Sequence, residues 1–173
     1  MVTFPVAYVL AFLFCLAQAG NDTISVLVDV DQAHSAADKF PKLSPALSVT
    51  KTSGGILQAA DSLGRIVLSL SPSALNKLKD DRVVKTVTEQ VPSDCTPMRQ
   101  LKISYKSGNP LTTEDLSQLG LRIVEDYVKG SFLIVEPTNG IINASLVSRL
   151  EENPKIQYVT PVLHIKAIQS NKS

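Results

Sequence analysis

LKISYKSGNPLTTEDLSQLGLRIVEDYVKGSFLIVEP, residues 101–137, holds the clearest succession of elements in the chain. Leu101 to Tyr105 alternates apolar and polar residues as a half-buried strand does, and Ser107-Gly108-Asn109-Pro110 is a turn. Thr112 or Thr113 supplies the cap of a helix that runs through Glu114 to Leu119 and ends at Gly120. Leu121 to Tyr127 and Ser131 to Val135 then read as two strands joined by a hairpin at Lys129-Gly130. Further on, Asn143 to Glu152 is a helix with Leu146, Val147 and Leu150 on one side, and Asn153-Pro154 stops it. Ile156 to Val159 is the closing strand, continued irregularly to Ile168.

Upstream the same order recurs in weaker form. Ile24 to Val30 is a β-branched strand, and Ala33 to Phe40 a weaker helical stretch. Leu47 to Thr52 and Ile56 to Ala60 read as a strand pair around Gly54-Gly55, and Arg65 to Leu70 as a further strand. Ser71-Pro72-Ser73 opens a helix carrying Leu75 and Leu78 on one face, with proline tolerated in the first turn. Val83 to Val91 closes the pass as a strand.

Both passes approximate β-α-β-β-α-β, which gives an α+β expectation. The fold would be two tandem ferredoxin-like sandwiches, each a four-stranded antiparallel sheet with two helices on one face. Each copy of roughly 75 residues is large enough to fold. The boundaries fall at 20–92 for the first domain and 100–168 for the second. Residues 93–99 form the linker, because Pro92, Ser93, Asp94, Thr96 and Pro97 suit neither strand nor helix, and 169–173 form a tail.

Residues 1–19 read as a secretory signal. Met1 to Gly20 has no charged side chain, Val6 to Ala17 is almost wholly apolar, and Ala17-Gln18-Ala19 is a small-x-small cleavage pattern. An apolar core of about a dozen residues is short of the roughly 20 that span a bilayer. The expectation is an extracellular protein with no membrane association once the signal is removed. Cleavage would leave Cys95 as the one cysteine of the mature chain, either buried or a candidate for an intermolecular disulfide. Asn21, Asn143 and Asn171 each head an N-glycosylation sequon.

With 17 basic and 16 acidic residues scattered along the chain, no basic stripe points to nucleic acid. Trp is absent and aromatics are few, so the core must be built from Val, Leu and Ile. Two histidines, His34 and His164, with one mature cysteine do not make a zinc site, and Asp29, Asp31 and Asp38 lack the spacing of a calcium loop. The pairs Asp80-Asp81 and Glu151-Glu152 suit solvated helix ends. No nucleophile elbow or phosphate-binding loop occurs. The expectation is a binding protein with no catalytic residue, metal or cofactor.

Leu119-Gly120-Leu121-Arg122-Ile123-Val124 followed by Ser131-Phe132-Leu133-Ile134-Val135-Glu136 resembles the middle strands of subtilisin propeptides and the inhibitors built like them. Leu150-Glu151-Glu152-Asn153-Pro154 leading into Ile156-Gln157-Tyr158-Val159-Thr160-Pro161 is similar to the helix, polar-Pro turn and closing strand of that family. Thr160 and Pro161 stand where the family often carries acidic residues. The resemblance implies a sheet laid against a subtilisin-like serine protease and a chain segment added to its cleft as a β-strand. Tyr158, Val159, Thr160 and Pro161 would lead into that segment, and His164, Ile165, Lys166, Ala167 and Ile168 would fill the cleft, with Ile165 in an apolar subsite. Two other functions fit the same sequence: a secreted duplicated module binding another extracellular protein, and an assistant for protease folding.

Overall fold

Two antiparallel sheets and four helices make up residues 22–31, 41–127 and 131–163, the part of the chain that the computed structural model describes. The protein is α+β. The signal segment, the helical stretch at 33–40, the Lys129-Gly130 turn, Asn21, Asn171 and the segment from His164 to Ile168 lie outside the described residues.

The first sheet contains β1 (Ile24–Val30), β2 (Ile56–Ala60), β3 (Ile66–Leu70) and β4 (Val84–Thr88), in the order β4-β1-β3-β2. The second contains β6 (Leu101–Tyr105), β7 (Leu121–Tyr127), β8 (Phe132–Pro137) and β10 (Ile156–Pro161), in the order β10-β6-β8-β7. In both, the first strand of the set lies between the last and the third, and every pairing is antiparallel. Two short strands, β5 (Thr96–Pro97) and β9 (Ile142–Asn143), both join the outer edge of β2.

One expectation is overturned. Leu47 to Thr52 is not a strand; it lies inside helix α1 (Pro45–Ser53). Pro45 occupies the first turn, where a missing N–H costs nothing. Gly54 ends the helix in the left-handed region at φ 69°, its N–H reaching Thr50 and Lys51 carbonyls. Helix α1 packs on β1, β2 and β3 and against two other helices, so Pro45 to Thr50 are all buried and no solvent-facing stripe remains in that run. Its Thr50 hydroxyl is satisfied by the Ala46 carbonyl at 2.8 Å.

The other helices follow the sequence more closely. Helix α2 (Pro72–Lys79) is capped by Ser71, whose hydroxyl accepts from the Ala74 N–H. Helix α3 (Thr113–Gln118) carries a full capping box: Thr112 accepts from the Asp115 N–H while Asp115 accepts from the Thr112 N–H. Helix α4 (Ala144–Glu152) is capped by Asn143 and buries Leu146, Val147 and Leu150.

The two halves share one hydrophobic core. It runs without a break from Val26, Leu47 and Leu68 through Leu101, Ile103, Leu150 and Val159, and α1 packs directly on α4. Tyr105 is its one aromatic member among the described residues, and branched aliphatics dominate the rest. Residues 93–99 are correspondingly more than a tether, since Thr96–Pro97 pair with Ala59 and Ala60 and the Met98 N–H donates to Gln58.

Candidate protein-docking face

The strand leading towards the C-terminal segment, β10, stands at the end of the second sheet's strand order, beside β6. Within β10, Val159 is fully buried against the core, whereas Tyr158 and Thr160 point to the opposite, outer face. Strand register then sets which residues share that face. Tyr158 lies opposite Ser104, Ser104 opposite Phe132, and Phe132 opposite Tyr127, which makes one row across all four strands. The next row is Thr160, Lys102, Ile134 and Glu125. Arg122 and Glu136 pair in the row beyond and form an ion pair.

The aromatic row is amphipathic. Tyr158 and Tyr127 are 39 % and 44 % exposed, and Phe132 and Ile134 are half-buried between them. The Tyr127 and Phe132 rings stack with centroids 4.6 Å apart, and the Lys102 ammonium sits 4.1 Å from the Phe132 ring centre. The Tyr127 hydroxyl donates to Glu125, and that acceptor holds the phenol proton above its ordinary pKa. Partial burial pushes the Tyr158 phenol up as well. Both tyrosines therefore stay neutral and present an apolar ring with a polar tip.

The outer face of the first sheet differs. Its row contains Leu27, Val67 and Thr88, and Leu27 and Val67 are only 2 % and 3 % exposed although they lie outside the shared core. Strands β4 and β5 stand at opposite edges of that sheet, so residues 89–95 must cross it. Gln90, Val91 and Pro92 line one surface groove together with Leu27, Thr88 and Arg65, which locates the crossing over the outer face. One sheet is strapped by its own chain. The other is open.

Cys95 lies at the end of this crossing, half-buried and without a disulfide partner among the described residues. Burial and the nearby Asp61 and Asp94 carboxylates push its thiol up. Asn143 has a structural role: its side-chain oxygen accepts from Leu146 N–H at 2.9 Å, and its backbone pairs with Ile56. Among the described residues no group of His, Cys, Asp or Glu converges as metal ligands, and no helix is long and apolar enough to cross a membrane.

Of the residues on this outer face, the sequence reading singled out Tyr158 and Thr160 and did not name Tyr127, Phe132 or Lys102 as site residues. An available signal was the pair of aromatics flanking the Lys129-Gly130 turn, since residues beside a hairpin turn face each other across it. Matched against models of protein families, curated proteins and solved structures, the chain finds no counterpart.

Proposed function

We propose that this chain is a secreted binding protein without catalytic activity, and that it inhibits subtilisin-like serine proteases. The order β-α-β-β-α-β in each half, with the strand orders β4-β1-β3-β2 and β10-β6-β8-β7, supports reading the molecule as two fused ferredoxin-like sandwiches. The observation that carries the functional reading is the open row Tyr158–Ser104–Phe132–Tyr127 on the second sheet. It is an aromatic, sparsely charged surface of the kind that forms the centre of protein interfaces. Its Tyr158 lies on β10, the strand that precedes residues 164–168 in the sequence. The sheet would dock on the protease while His164 to Ile168 enter the cleft as an added strand, Ile165 in an apolar subsite.

Titrating the purified mature protein against subtilisin tests this reading. Inhibition of peptide hydrolysis at micromolar concentration or below is expected, and none would overturn it. Ile165→Asp should abolish inhibition, because a charge would enter an apolar pocket. Removing residues 163–173 should leave weakened binding through the sheet face and no inhibition. A chain that binds a different extracellular protein would keep full affinity after that truncation.

A further inference from the structure

The two halves are not equivalent, and backbone contacts between them show how one serves the other. The segment Lys42-Leu43-Ser44 runs parallel to β10 along its outer edge. The Val159 N–H donates to the Lys42 carbonyl at 2.7 Å, and the Ser44 N–H donates to the Val159 carbonyl at 2.9 Å. Strand β10 is thereby held on both sides, by β6 and by this segment, instead of forming an edge. Leu43 is buried in the shared core. The Lys42 ammonium reaches over the end of α4 and donates to the carbonyls of Glu151 and Asn153, at 2.9 and 3.0 Å. A cation there complements the negative end of the helix dipole. Lys51, on α1, adds an ion pair to the Glu151 carboxylate at 2.8 Å.

From this geometry we infer that the chain is a single-headed binder, in which the first half is a scaffold clasping the strand that presents the second half's binding surface. The inference rests on the docking reading above. Two observations carry it independently of the contacts just described. The crossing at residues 89–95 closes the first sheet's outer face over Leu27 and Val67. The same crossing ties the exit of β4 to β5 at the opposite edge, so among the described residues the chain leaving the first half's last strand has no free end to lend to a cleft. The second half keeps an open face, and its β10 is fixed at Val159, adjacent to Tyr158 and a few residues before the proposed cleft segment. Clasping orders that strand before binding and reduces the entropy lost on association.

Ser44→Pro isolates the clasp. Ser44 has φ −62° and ψ 157°, values that proline adopts without backbone strain, so the substitution acts on the bridge itself: it removes the N–H and sets the ring carbon against the Val159 carbonyl. Lys42→Met is the companion variant, keeping the aliphatic stem and removing the cap on α4. Native mass spectrometry of the intact chain with subtilisin should give one protease per chain. Both variants should bind more weakly, Ser44→Pro by about tenfold or more, since it loses a buried hydrogen bond and also pushes the bridge apart. Two proteases per chain would overturn the single-headed assignment. Absence of any complex with subtilisin would instead defeat the docking reading, and hydrogen exchange on the free protein then decides the clasp alone. The Val159 amide should exchange only with global unfolding in the wild type and faster, together with the amides of Thr160, Val162 and Leu163, in both variants. Unchanged exchange along β10 in both variants would overturn the clasp.

Discussion

Phe132 is sandwiched on the outer face of the second sheet: the Tyr127 ring stacks on it at 4.6 Å, and the Lys102 ammonium sits 4.1 Å from its centre. Neither contact extends the hydrophobic core, which lies on the opposite side of the same strand at Leu133 and Val135. The arrangement leaves the Tyr127 and Phe132 rings partly exposed, and under the proposed function this is the surface that a protease would cover.

Phe132→Ala should therefore separate binding from folding. At the centre of an interface an aromatic anchor contributes about 2 kcal/mol or more, so under the proposed docking on a subtilisin-like protease the affinity should fall by roughly 30-fold. Stability should change much less, because Phe132 is half-buried and outside the core. The check is a binding isotherm alongside a urea melt. Equal losses in the two would show that the ring acts in folding and not in recognition.

Leu47→Ala tests whether the halves are one unit. Leu47 is fully buried on α1, which packs on both α2 and α4. Truncating it should cost about 2–5 kcal/mol. Because the core is continuous, the loss should lower the unfolding midpoint of both sheets together, in a single transition seen alike by a first-half and a second-half probe. Two separated transitions would mean that the halves fold independently.

The same helix explains what was legible in the sequence and what was not. Helix α4 announced itself because one side is apolar and the other wet, which leaves a 3.6-residue period. Helix α1 is covered over most of its surface, so Val49, Thr50 and Thr52 register as β-branched residues without a phase, and the run reads as a strand. Only Pro45 and Gly54 punctuate it as a helix. The clasp of Lys42-Leu43-Ser44 on Val159 left no local pattern at all, since it joins residues far apart in the chain. The open face was half-legible: Phe132-Leu133-Ile134-Val135 is apolar on both sides of the strand, so periodicity alone could not say which side meets the core.

Cys95 should behave as a slow thiol. Its partial burial and the neighbouring Asp61 and Asp94 carboxylates all disfavour the thiolate, which is the reactive form. Alkylation at neutral pH should proceed more slowly than for a free cysteine and accelerate only at a higher pH. A rate matching that of a model thiol would show that the crossing at residues 89–95 does not shield it.

Asp115 gives the fold a defined acid limb. Its carboxylate accepts from Lys155 at 2.6 Å and from both the N–H and the hydroxyl of Thr112 at 2.8 Å, and these bonds lower its pKa to about 2. An unfolded Asp titrates near 3.9, so the folded state binds the proton more weakly than the unfolded state. Its contribution is accordingly complete above about pH 4 and is lost as pH falls towards 2. Asp115→Asn removes the titrating group while leaving the other carboxylates in place, so those cancel in the comparison. Urea midpoints measured from pH 5 to pH 2 should fall more steeply for the wild type, the gap between the two proteins closing towards pH 2. The gap at pH 5 should also narrow in high salt, because the Lys155 pair is solvent-accessible and its charge is screened. Parallel curves across that range would mean that the Thr112 cap and the Lys155 pair hold together through geometry and not through charge.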